Sequence, residues 1–126
     1  MSLRTPLGRV RGLGSAREGV AHWWGQRLTA IALVPLAIWF VVSIAALAGA
    51  DHGAVVAWLR APVSAILMVL LIAVSFHHLQ LGLQVVLEDY VQTEGLRLAA
   101  IIGVKFAAAA FALAAVFAVL KVAFGG

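Results

Sequence analysis

Two adjacent imidazoles, His77 and His78, stand inside an apolar stretch that ends in Glu88-Asp89-Tyr90. Ionisable side chains at membrane depth are costly, so by default they mark a functional site. A neutral imidazole is a good iron ligand, and a histidine in hydrocarbon needs a partner for its ring nitrogens. A helix turns about 100° per residue, so the two rings cannot both face one flat macrocycle. Gly82 follows His78 by four residues and stacks on the same face, where its missing side chain leaves room for such a ring. Asp89, eleven residues after His78, returns to within roughly 20° of that face. His77 has Glu88 at the same spacing, but Leu81 fills the position where a gap is wanted. Helix phase favours His78 as ligand without excluding its neighbour. Both rings also suit plain hydrogen bonding between helices. A six-coordinate haem needs a second axial ligand. His22 and His52 lie before the first apolar run and in the first loop, so that ligand is expected from another chain.

Asp89 and Tyr90 fall at the membrane surface, where they suit an amphipathic redox molecule. Reduction of a quinone adds two electrons and two protons, and its carbonyl oxygens become strongly basic on the way. A phenol donor and a carboxylate open to water fit that chemistry. The same pair also fits an interfacial aromatic beside a solvated acid. Arg27 is the last charge before the first apolar run. It can pair bidentately with a carboxylate such as a haem propionate, with His22 assisting from the same side. It also fits an ordinary positive membrane anchor.

The elements that must hold these groups follow from composition. Of 126 residues, 64% are hydrophobic and 11% charged, and the mean hydropathy is +1.08. No soluble domain of this size is so apolar. The fold class is all-α: an integral membrane protein with three transmembrane helices and a polar N-terminal arm. The arm covers residues 1–27, carries Arg4, Arg9, Arg11, Arg17 and Arg27, and is expected to be largely irregular around Gly8, Gly12, Gly14 and Gly19. It is not expected to be a secretory signal, because the apolar run starts late and is too long. The three-helix anchor, residues 28–126, has spans at about 28–50, 61–87 and 98–120. Pro35 should kink the first span or free a backbone carbonyl. Asp51-His52-Gly53 turns the chain, a short surface stretch holds Trp58, and residues 88–97 form the second loop. Lys105 lies near enough to the start of the third span to snorkel. The alanines of that span permit close packing.

The net charge of +4 reflects arginines flanking the spans rather than nucleic-acid binding. Their distribution puts the N-terminus and the second loop in the cytoplasm. With no cysteine, the chain itself holds neither a disulfide nor a thiolate-bound zinc or iron–sulfur centre.

The chain resembles the smaller hydrophobic membrane-anchor subunit (the D subunit) of succinate dehydrogenase, respiratory complex II. The resemblance covers the polar arm, Arg27-Leu-Thr-Ala at the head of the first span, the three spans, and above all the segment from His78 to Tyr90. The family pattern is a histidine followed eleven and twelve residues later by Asp-Tyr, with glycine at the fourth position. His78, Gly82, Asp89 and Tyr90 fill it, and His77 is out of register by one.

The resemblance implies a subunit of succinate:ubiquinone oxidoreductase in a bacterial inner membrane, inactive alone, linking the tricarboxylic acid cycle to the respiratory chain. Its implied partners are a flavoprotein with covalent FAD, an iron–sulfur subunit, and a larger cytochrome b anchor that shares a haem b with this chain. By the same resemblance His78 is an axial ligand of the haem iron. Tyr90 hydrogen-bonds a ubiquinone carbonyl, Asp89 supports that site and its protons, and Arg27 and His22 contact haem propionates. Three other readings use the same residues. They are an anchor of a menaquinol-fumarate reductase, a small proton-coupled transporter with His77, His78 and Asp89 as a relay, and a homodimeric b-type cytochrome.

Overall fold

The computed structural model describes residues 6–7 and 16–125. Arg4, Arg9, Arg11, the side chain of Arg17, and Gly8, Gly12 and Gly14 lie outside the described residues. Four helices follow one another: α1 Ala16–Ala46, α2 His52–Arg60, α3 Pro62–Tyr90 and α4 Glu94–Ala123. Three of them, over Gly19–Ala46, Pro62–Tyr90 and Glu94–Ala123, are long and apolar enough to cross a membrane. At about 1.5 Å per residue each reaches roughly 42 Å or more, against a hydrocarbon core of about 30 Å. Tilt or protrusion takes up the excess.

The breaks between helices have local causes. Leu47 and Ala50 close a turn after α1, with Gly49 in the left-handed region (φ 80°) that a side chain would strain. Asp51 then caps α2, its carboxylate accepting from the Ala54 amide at 2.9 Å. Pro62 disfavours helical geometry at the residue before it, and Ala61 is extended (φ −63°, ψ 129°), which separates α2 from α3. Pro35 lies within α1, and the helix runs through it. The ring leaves the Ile31 carbonyl without its amide donor.

Helical order extends further toward the polar end than composition indicates. α1 begins at Ala16, so the second half of the arm is helical and Gly19 sits inside a helix. The second loop shrinks to Val91–Thr93. Glu88, Asp89 and Tyr90 form the last turn of α3, and Glu94 and Arg97 belong to the first turns of α4. Hydropathy marks where hydrocarbon ends. A polar segment can continue a helix where no proline interrupts it, and neither 16–27 nor 88–90 contains one.

α3 is the central helix. α1 packs on one side of it and α4 on another, and among the described residues α1 and α4 make no contact. α2 lies across the far end, where Trp58 stacks on Trp39 at 5.6 Å and Arg60 Nε donates to the Val122 carbonyl at 3.3 Å. Little is enclosed: among the described residues only Ser64, Leu81 and Val119 are buried. The uncovered apolar faces of the three long helices suit contact with lipid.

Candidate functional site

Two glycines let α1 and α3 approach closely. A Cβ on Gly25 would stand 3.3 Å from Leu81 Cδ1, and one on Gly82 would stand 3.6 Å from Gln26 Nε2. Gly82 thus opens toward α1, and the room expected there for a macrocycle faces the Gln26 side chain. One turn on, the same contact brings Thr29 Oγ1 within 2.8 Å of His78 Nδ1. Thr29 Oγ1 also lies 2.7 Å from the Gly25 carbonyl and 3.0 Å from that of Gln26.

These distances suit one arrangement of the protons. The threonine hydroxyl has one hydrogen, and the carbonyls can only accept. Donation to Gly25 makes Oγ1 the acceptor for His78, so Nδ1 carries the ring proton and Nε2 keeps its lone pair. The reverse assignment would set two bare oxygens 2.7 Å apart. It would also leave an Nε2–H that has no partner among the described residues. A histidine whose Nδ1–H is engaged and whose Nε2 is free has the state of a metal ligand with its orienting partner. The ring is half-buried.

His77 points elsewhere. It lines a cleft of about 280 Å³ between α3 and α4, together with Gln80, Lys105 and Ala108. The tandem histidines therefore serve different helix seams, as their phase difference requires. Ala108, Ala112 and Ala115 are half-buried, whereas Ala107, Ala110 and Ala114 are exposed. Near His77 a polar ladder climbs α3: Gln80 Nε2 donates to Gln84 Oε1 at 3.1 Å, and Gln84 Nε2 donates to Glu88 Oε1 at 3.0 Å.

Asp89 and Tyr90 are exposed at the end of α3, Tyr90 to 80%. Asp89 lies on the His78 stripe and Tyr90 about a third of a turn away, roughly 18 Å from His78 along the axis. Two carboxylates in a last turn without a basic residue oppose the helix dipole, at a cost of about 0.3–1 kcal/mol each. Such local conflicts concentrate at functional sites.

The two arm residues separate. Arg27 is exposed on the face of α1 turned away from α3, its guanidinium 5.3 Å from the Trp23 ring centre. His22 is half-buried on the stripe of Gln26 and Thr29, and its Nε2 is buried without a partner among the described residues. An orphaned polar atom of this kind costs about 1–3 kcal/mol until something pairs with it.

Sequence reasoning placed His78 in its stripe but passed over Thr29 and the glutamine ladder. Thr29 had one visible signal, a hydroxyl seven residues after His22 near the start of an apolar run. The ladder had another, the four-residue spacing of Gln80, Gln84 and Glu88.

Residues 1–119 match the family model described as succinate dehydrogenase/fumarate reductase transmembrane subunit. The chain belongs to this family. Relatives described as succinate dehydrogenase hydrophobic membrane anchor subunits share its length and sequence. The one from Rickettsia bellii (strain RML369-C) is 35% identical over 102 residues, 81% of this chain and 82% of its own. The one from Paracoccus denitrificans is 32% identical over 121 residues, 96% of this chain and 93% of its own. The one from Rickettsia conorii (strain ATCC VR-613 / Malish 7) is 30% identical over 90 residues, 71% of each chain. No solved structure matches. The three apolar helices, with most of their surface uncovered, suit a subunit that anchors others to a membrane.

Proposed function

We propose that this chain is the smaller membrane anchor of a succinate:ubiquinone oxidoreductase in a bacterial inner membrane, with its N-terminus cytoplasmic. In this reading it shares a haem b with a larger cytochrome b anchor and contributes to the ubiquinone site. A flavoprotein with FAD and an iron–sulfur subunit complete the complex and supply the electrons. The observation that carries the proposal is the Thr29–His78 contact at 2.8 Å, which leaves His78 Nε2 free to ligate iron. Family membership supplies the context.

The haem, when bound, is a one-electron carrier tuned by its axial ligands and their hydrogen bonds. His78 would ligate it from this chain. His22 lies about two turns, roughly 10 Å, nearer the polar end on the Thr29 stripe, and its unpartnered Nε2 suits a propionate. Arg27 is exposed on the face of α1 away from α3, so it would meet a propionate only from that face.

At the end of α3, Tyr90 would donate its phenol proton in a hydrogen bond to a quinone carbonyl. Asp89 sits within reach of water and can pass a proton to that oxygen as it gains electron density. Exposure of both groups in the isolated chain fits a site that a partner surface completes.

A proton-coupled transporter is less well supported. The ladder from Glu88 ends beside His77, and between Pro62 and Phe76 the only polar side chains are Ser64 and Ser75. An ionisable relay therefore reaches about halfway along α3.

Purification in mild detergent, followed by a subunit gel and a dithionite-reduced spectrum, tests the reading. The expected result is co-purification with two hydrophilic subunits and a second anchor, with a b-type haem spectrum. A chain that purifies without haem or hydrophilic partners would overturn it. A complex that carries menaquinone and favours fumarate reduction would move the assignment to the reverse enzyme.

A further inference from the structure

We propose that Thr29 is a positioning residue for the haem, acting through His78. This rests on the haem reading above and adds to it a residue that helix phase did not single out. Three observations meet at one oxygen. Oγ1 is 2.7 Å from the Gly25 carbonyl, 3.0 Å from the Gln26 carbonyl and 2.8 Å from His78 Nδ1. Both carbonyls lie in the preceding turn of the same helix, so the hydroxyl's proton is committed to the backbone. The lone pairs of the oxygen are then aimed across the helix seam at the imidazole.

Two consequences follow. That arrangement holds the ring in the Nδ1–H tautomer, which keeps the Nε2 lone pair free for a metal. The ring plane is also held, because rotation about the Cβ–Cγ bond breaks the contact. Engaging Nδ1–H makes an imidazole a more basic ligand, which favours ferric over ferrous iron. Losing the partner should therefore raise the haem midpoint potential as well as weaken haem retention. Removal of such an orienting partner typically costs 10- to 100-fold in metal affinity.

The test uses the intact complex carrying Thr29→Val, which keeps the shape and removes the hydroxyl, and Thr29→Ser, which keeps the hydroxyl. Haem per complex, the midpoint potential, and the low-temperature EPR spectrum of the ferric haem are measured, with His78→Ala as reference. For Thr29→Val the expected result is about ten-fold or greater loss of haem on dilution. The residual haem should show a raised potential and altered ligand-field parameters, and Thr29→Ser should match the wild type. Where Thr29→Val blocks assembly, Thr29→Ala takes its place. Wild-type retention, potential and EPR in the hydroxyl-free variant would overturn the role of Thr29, as would equal losses in Thr29→Ser. If His78→Ala keeps its full haem spectrum, the haem assignment fails instead, so the two failures are told apart.

Discussion

At the scale of the residue, the tandem histidines are a natural control. They are neighbours in sequence and share one composition of surroundings, yet His78 meets Thr29 on α1 while His77 lines the cleft against α4. His78→Ala in the assembled complex is expected to abolish or greatly lower the haem b absorbance, and His77→Ala to leave most of it. The reduced-minus-oxidised spectrum decides, and equal loss in both variants would break the assignment. Tyr90→Phe removes a hydroxyl from a side chain that is 80% exposed, so stability should be unchanged. Loss of one hydrogen bond of about 1–1.5 kcal/mol corresponds to roughly a ten-fold fall in kcat/KM for quinone. Succinate oxidation with an artificial acceptor should persist. His78 was legible from sequence because helical phase is a local rule. Thr29 was not, because its partner lies 49 positions away and only the packed helices bring the two together.

At the scale of the element, the approach of α1 to α3 decides whether that hydrogen bond can form. Gly25 stands where a methyl would press to 3.3 Å on Leu81, one of the few buried side chains. Gly25→Val is therefore expected to wedge the helices apart, an overpacking cost of about 1–3 kcal/mol. Haem per complex should fall several-fold even though no ligand is changed. At Gly82 an added methyl meets Gln26 at an ordinary 3.6 Å, so Gly82→Ala should assemble and hold haem near the wild-type level. Haem quantification per complex separates the two, and loss in Gly82→Ala alone would mean that the macrocycle itself rests on that glycine. The number of spans was legible in the hydropathy, because a membrane sets the length of an apolar run. The ends were not. Residues 16–27 and 88–90 are polar but contain nothing that stops a helix, so the ordered helices outrun the apolar runs toward the end that carries Asp89 and Tyr90.

At the scale of the whole molecule, the arrangement is open. Among the described residues α1 and α4 flank α3 without touching each other, and most of their surface is uncovered. A second histidine from within the chain is also ruled out by position. His77 faces the α4 cleft, His52 opens α2 at the far end, and His22 lies about two turns, roughly 10 Å, from Thr29 along α1. A bis-histidine haem at His78 thus needs an imidazole from another polypeptide, brought in along the uncovered apolar faces. The chain produced alone in a bilayer is accordingly expected to show no low-spin six-coordinate haem spectrum when reconstituted with haemin. Co-production with the larger anchor should restore the spectrum at one haem per pair. A six-coordinate spectrum from the lone chain, with two copies per haem, would instead give both ligands to His78 of a symmetric pair. The seam along α3 would then be an interface between identical chains rather than between two different anchors.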